Sequence, residues 1–433
     1  MPPLGRSNRP AAVPPGRLSA IDKLRGLVMV LMVLDHALFY FTDPSISPVD
    51  LSRTTPGLFL SEWVTHYCAP VFFLLAGVGT YLQIARGATK REVAKFLLIR
   101  GLLLIVLDMT VVQWALYFRF DFSLFVMQPD GEIARIFVFT PLVLWGLGLS
   151  MIMLAAVLWL PTSAVGIFGI TLILVHNMFD QVNADYVQQL KTGESAPWAW
   201  LVLHQVGTWL VSDQFRILID FPLIPWVGVM AAGYGLGPLF LKNRTLRRRV
   251  LALSGAAMIL AFLSLRELGR YGDPAPFKSY AESFLTVLSF INCEKYPASL
   301  QFLLMTLGPA LLVLAVLDRE PAVDGSERLV DRILRPFRLF GRVPLFFYLG
   351  QWVVLHFLAL ALAWIQHRPT DWLFKTLDIV SPQANFPDWD PTADVGLRYV
   401  YGAWILSVLL LYPACLWFAR LKDRHRDSWL RYF

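Results

Sequence analysis

The sequence predicts an all-α polytopic membrane protein, a helix bundle of about ten transmembrane helices with both termini cytoplasmic. Two observations carry this. Apolar runs of about 20 residues, enough to cross a bilayer core, recur along the whole chain. Of its 433 residues, 56% are hydrophobic and only 16% charged, against roughly 25% charged in a soluble domain; the mean hydropathy is +0.55. No stretch between the runs is long enough to bury a separate soluble core, so one transmembrane domain is expected over 20–420. It is flanked by a disordered basic cytoplasmic tail at 1–19 and a basic cytoplasmic tail at 421–433.

Hydropathy places the spans near 23–42, 66–85, 97–118, 136–160, 164–178, 222–241, 249–266, 297–317, 343–366 and 397–419. The loop after the second span carries Arg86, Lys90, Arg91 and Lys95, and that after the sixth carries Lys242, Arg244, Arg247, Arg248 and Arg249; such loops stay inside. The intervening loops are acidic and face outward: Asp43, Asp50 and Glu62, then Asp180, Asp185, Glu194, Asp213 and Asp220, later Asp371, Asp378, Asp388, Asp390 and Asp394. An even count returns the chain to the cytoplasm, and Lys422, Arg424, Arg426 and Arg431 agree. Segment 197–211 is apolar but short, and reads as an interfacial lid helix anchored by Trp198, Trp200 and Trp209, or as a re-entrant segment. No internal repeat is evident, which weighs against transporters built from inverted repeats.

The net charge of +7 is dispersed over short loops, so it points to membrane lipids and away from nucleic acid. Cys68, Cys293 and Cys415 are scattered without metal-ligand spacing and read as small packing residues. No metal is expected. The first twenty residues, with Arg6, Arg9 and Arg17 among prolines, lack the apolar core and cleavage site of a secretory signal.

The first span contains Asp35-His36. A charge centred in a span costs roughly 2.5–3.5 kcal/mol on insertion scales, which makes such a pair a functional-site hypothesis. Arg25 lies eleven residues before His36, about three turns and roughly 16 Å, on the same helix face. A neutral imidazole there can take a proton from a hydroxyl or amine and return it; the alternative is a helix–helix hydrogen bond. Adjacent residues diverge by about 100°, so Asp35 is expected not to pair with His36 directly but to meet another helix. His66 follows Glu62 by four, a spacing that lets the carboxylate orient the ring; the alternative is a surface histidine at a helix end. Asp108, between Leu107 and Met109, needs a partner. Gln113, His176, Gln351 and His356 would gather around it in a polar cavity, or else make separate interhelical hydrogen bonds. Gly77-Val78-Gly79 and the glycines at 233, 235 and 237 follow no strand and read as helix-packing positions. Arg25, Lys23 and the basic loops, with Asp22 in support, are expected to make a cytoplasmic landing site for an anionic, phosphate-bearing donor; lipid headgroup attraction explains the loops equally well.

The block from Arg17 to Phe41, with Asp22-Lys23-Leu24-Arg25-Gly26-Leu27 and then His36, resembles the opening helix of the acyltransferase-3 family, where that spacing marks an arginine and the histidine assigned to catalysis. The run Val64-Thr65-His66-Tyr67-Cys68-Ala69-Pro70-Val71-Phe72-Phe73 resembles the heparan-α-glucosaminide N-acetyltransferase family and its bacterial relatives. So do Phe221-Pro222-Leu223-Ile224-Pro225-Trp226, Lys295-Tyr296-Pro297-Ala298-Ser299-Leu300 and Gly341-Arg342-Val343-Pro344. The resemblance implies transfer of an acyl group from cytoplasmic acyl-coenzyme A to a sugar hydroxyl or amine across the membrane. Two departures stand out: the lysosomal enzyme has an acidic residue where His66 stands, and its luminal histidine aligns near Gly57.

The reading is therefore an acetyltransferase of the bacterial inner membrane engaged in glycan modification. Acetyl-coenzyme A (acetyl-CoA) is a co-substrate, and no cofactor is permanently bound. His36 is the expected base, with Asp35 or Asp108 holding its tautomer, Arg25 and Lys23 on the donor, and His66 with Glu62 on the acceptor, an extracytoplasmic glycan or glycolipid. The alternatives are a proton-coupled transporter or flippase for an anionic or lipid-linked solute, relaying protons through Asp108, His36 and His176, and a membrane scaffold without activity. Acceptor, acyl chain, O- or N-transfer, a covalent acyl-histidine, homo-oligomer formation, and whether His36 is catalytic or His66 replaces the missing histidine at the outer mouth, stay open.

Overall fold

The computed structural model describes residues 18–42, 46–120, 123–127, 133–180, 182, 198–212, 214–318, 329–374, 396–425 and 429–433. Helix α1 (Ser19–Phe41) is followed by α2 (Pro56–Thr65) and α3 (Cys68–Ala85), which together form one span interrupted at His66 and Tyr67. The next helix, α4 (Lys90–Leu107), starts at a capping box in which Thr89 and Glu92 satisfy each other's free amides. It passes through a π-helical turn at Asp108–Val112 into α5 (Gln113–Tyr117). Then come α6 (Val143–Val157), α7 (Thr162–Val175), α8 (Trp198–Leu203), α9 (Leu223–Leu236) and α10 (Arg244–Leu268). The last six are α11 (Ser283–Ile291), α12 (Leu300–Leu317), α13 (Leu329–Ile333), α14 (Arg335–Arg342), α15 (Pro344–Ile365) and α16 (Leu397–Arg424).

Among the described residues nine spans are long and apolar enough to cross a membrane, and α6 is a shorter apolar helix. The nine coincide with nine of the ten predicted segments. The protein is an all-α polytopic bundle.

Helix α1 is the axis, packed against α2, α3, α12, α14, α15 and α16. Two glycines bring its backbone against α14: a Cβ on Gly26 would collide with the Phe337 carbonyl, and one on Gly341 with that of Asp22. Gly77 and Gly233 do the same between α3 and α9, as the sequence predicts for helix-packing glycines. The three cysteines are free and buried.

Two expectations need correction. The predicted span 136–160 is β2 (Ile133–Phe139) followed by α6, because Thr140-Pro141 disfavours helical backbone at the junction. The predicted lid 197–211 is α8 plus β3 (Gly207–Ser212), drawn into a sheet with β1 (Ser123–Met127), β2 and β4 (Phe215–Ile219) in the order β1-β2-β4-β3. The parallel β2–β4 pair joins segments some 80 residues apart, which local periodicity does not encode. Asp43, Asp185, Glu194, Asp213, Asp378, Asp388, Asp390 and Asp394, and nearly all of the 1–19 tail, lie outside the described residues.

Candidate functional site

The stripe of α1 residues 22, 25, 29, 32, 35/36 and 39 faces two cavities in turn. At the start of the helix, a cavity of about 370 Å³ is lined by Asp22, Arg25 and Met29, by Arg86 at the end of α3 and by Arg100 of α4. Three arginines face one acid. Arg25 Nη1 donates to the Gly341 carbonyl at 3.1 Å and lies 3.6 Å from Asp22 Oδ1. The guanidinium of Arg100 lies 5.8 Å from the centre of the Phe96 ring, and its buried Nε has no protein partner. Neighbouring Lys23 turns away from Arg25 by about 200° of helix and pairs with Asp331 at 2.5 Å, so it does not line this cavity.

At the other end of α1, a cavity of about 480 Å³ is lined by Asp35, His36, Glu62, His66, Asp220 and Lys295. Both volumes are of ligand-site size. The His36 ring stacks on Trp352 at 3.6 Å between centroids, and its Nε2 lies 4.0 Å from Asp35 Oδ2. Asp35 also meets other elements, as expected: Thr65 Oγ1 donates to its Oδ1 at 2.7 Å, and Lys295 Nζ lies 3.9 Å away. Lys295 donates to Glu62 Oε1 at 3.1 Å, and the same oxygen is 3.8 Å from His66 Nε2. Each histidine thus turns Nε2 toward a carboxylate, and its Nδ1 has no protein partner. His66 is buried, not at the surface.

Burial opposes the charge of Lys295, yet Glu62, together with Tyr296 and Asp35, holds its ammonium pKa well above the ordinary lysine value. Burial pushes Asp220 up to about 6. Arg266 donates to the carbonyls of Ala275, Ser289, Phe290 and Asn292 and to Gln301, tying α10 to the end of α11 and the start of α12, the two helices between which Lys295 lies.

Among the described residues, none of the other intramembrane polar side chains is hydrogen-bonded to Asp108. Its Oδ2 accepts from the backbone amides of Leu142 and Trp145 at 2.7 and 3.1 Å, so the carboxylate caps the N-terminus of α6 and not a histidine. Gln113 donates to the Thr140 carbonyl, and His356 Nδ1 lies 3.2 Å from the Ala115 carbonyl while its ring stacks on Phe118. His176 Nδ1 lies 3.4 Å from His204 Nε2, and Gln351 is fully buried on α15. None of these five lines either cavity. Sequence reasoning passed over Lys295, Arg100, Asp220, Tyr348 and Trp352 as site residues; a charge directly before an apolar run was the available signal for Lys295.

Among the described residues the nine long apolar helices make this a multi-pass membrane protein, and two cavities share one face of α1. Residues 17–271, more than half of the chain, match the catalytic-domain model of heparan-alpha-glucosaminide N-acetyltransferase, and the chain belongs to that family. By family it is a transmembrane acetyltransferase. The match spans Arg25, His36, His66, Arg100 and Asp220 and ends before Lys295, Tyr348 and Trp352. No curated protein matches the chain.

Proposed function

We propose that the protein moves an acetyl group from cytoplasmic acetyl-CoA, held in the arginine-lined cavity, to a sugar hydroxyl or amine that enters the second cavity from the opposite side. The observation that carries this reading is the shared stripe of α1, along which Arg25 and His36 face two cavities that abut at Met32. The first cavity lies at the basic end of the bundle, beside Arg86, Lys90 and Arg91, which the positive-inside rule assigns to the cytoplasm. Arg25, Arg86 and Arg100 suit the phosphates of the donor, since guanidinium groups bind phosphate oxygens through paired hydrogen bonds.

In the second cavity the neutral imidazole of His36, with Asp35 Oδ2 4.0 Å from its Nε2, serves as the base. The acceptor oxygen or nitrogen attacks the thioester carbonyl while its proton passes to the imidazole. The C–S bond breaks as the C–O or C–N bond forms, and the proton then goes to the departing thiolate. Lys295 stands between Asp35 and Glu62 as their shared cation, and His66 with Glu62 holds the acceptor. Against the transporter reading, the groups of its proton relay occupy three separate settings: His36 in the second cavity, Asp108 on the α6 amides and His176 on His204.

The test is acetyl-CoA binding by calorimetry to the detergent-solubilised protein, together with thiol release in the presence of glucosamine. His36→Ala is expected to bind acetyl-CoA normally and release thiol about 10²–10⁴-fold more slowly. Full activity of that variant removes His36 from the mechanism, and no acetyl-CoA binding by folded wild-type protein overturns the reading.

A further inference from the structure

Four side chains line both cavities: Met32 of α1, Phe72 of α3, Val143 of α6 and Tyr348 of α15. They come from four different helices and form one layer between the arginines and the histidines. Met32 sits one turn beyond Met29, which faces the first cavity only, and one turn before His36, which faces the second only. Phe72 holds the same middle place on α3, between Ala69 of the second cavity and Ala76 of the first. The ring of Tyr348 meets His36 edge-on at 5.9 Å. Val143 opens α6, whose first amides are held by Asp108, so its position is anchored from α4. Three of the four are apolar, and the fourth contributes one phenol group.

Resting on the acyl-transfer reading, we propose that this layer is the passage through which the acyl thioester reaches the acceptor, and that its bulk sets the length of acyl chain the enzyme accepts. A donor whose phosphates sit at Arg25 and Arg100 must bring its thioester carbonyl to this layer to meet a nucleophile activated by His36. The acyl chain beyond the carbonyl then projects between Met32, Phe72 and Tyr348. A two-carbon group asks little of these side chains. A long chain needs space that three large packed side chains fill, and close-packed interiors yield poorly to added methylenes.

The experiment compares thiol release from acetyl-CoA and octanoyl-CoA, with glucosamine present, in wild-type protein and in Phe72→Ala, Met32→Ala and Leu314→Ala. Leu314 is fully buried on α12 and lines neither cavity, so its truncation controls for general loosening. Wild-type protein is expected to prefer acetyl-CoA. Each layer variant should raise the octanoyl-to-acetyl ratio of kcat/KM by about tenfold or more, since single methylenes in an apolar pocket discriminate by about 10–200-fold. Leu314→Ala should leave the ratio unchanged. Should Phe72→Ala fail to fold, Phe72→Leu widens the same point with a smaller change in volume. An unchanged ratio in the folded layer variants, equal use of both donors by wild-type protein, or an equal shift in Leu314→Ala overturns the proposal while the acyl-transfer reading stands. Absence of both acyl-CoA binding and thiol release in wild-type protein is the separate failure of that reading.

Discussion

Lys295 Nζ lies 3.1 Å from Glu62 Oε1 across 233 positions of sequence, and this contact joins the turn before α12 to α2. Through Lys295 two carboxylates stand close together beside two histidines without being left uncompensated. Removing the lysine alone strands both acids.

Lys295→Met is therefore expected to destabilise the protein by about 2 kcal/mol, below the 3–5 kcal/mol of a fully buried pair, because Lys295 and Glu62 keep 21% and 16% side-chain exposure. Adding Glu62→Gln should restore part of the loss, since one stranded charge is removed. Thermal unfolding in detergent of the four proteins of this cycle measures it. A double variant less stable than Lys295→Met contradicts the account.

Arg100 and Lys23 make a contrasting pair. Arg100 faces the first cavity with an unpartnered Nε, whereas Lys23 is committed to Asp331. Arg100→Gln should weaken acetyl-CoA binding by about tenfold, the scale of one charge-assisted hydrogen bond, and Lys23→Ala should leave it unchanged. Calorimetry decides, and the reverse order would move the donor site out of the first cavity.

Asp108 provides a test of stability against chemistry. As the cap of α6, its replacement by alanine should cost about 1–2 kcal/mol, and by asparagine less, because the amide oxygen still accepts. Asp108→Asn should retain thiol release. Lost activity in a stable Asp108→Asn protein would restore Asp108 to the mechanism.

Asp220 sets a pH dependence. Its carboxyl is pushed up to about 6 by burial from an ordinary 3.8. A folded-state pKa above the unfolded one means that its stabilising contribution is fully present below about pH 4 and is lost as pH rises through about 6. Asp220→Asn should flatten that part of the profile of melting temperature against pH. An identical slope in the variant would place the titration elsewhere.

The spans and the α1 stripe were legible because helical periodicity is local: a 3.6-residue repeat decides that Arg25, Met32 and His36 share a face wherever the helix packs. The approach of Glu62 to His66 at i−4 was readable for the same reason. The sheet was not, since β2 and β4 pair across a long separation and their apolar runs read equally as helix. Nor was the dispersal of the polar groups. A buried carboxylate such as Asp108 announces a need for partners without naming them, and the exposed amides of a helix N-terminus satisfy it as well as an imidazole does.

By itself the sequence determined the membrane class, the positions of the nine spans found among the described residues and the alignment of an arginine and a histidine on one of them, all properties of consecutive residues. Tertiary structure alone decided that Lys295 joins Asp35 to Glu62, that His176 meets His204, and that Met32, Phe72, Val143 and Tyr348 separate two cavities. Those groupings draw on spans far apart in the chain, and only the packing of helix against helix, set by close contacts such as Gly26 on Phe337 and Gly77 on Met230, brings them to one place.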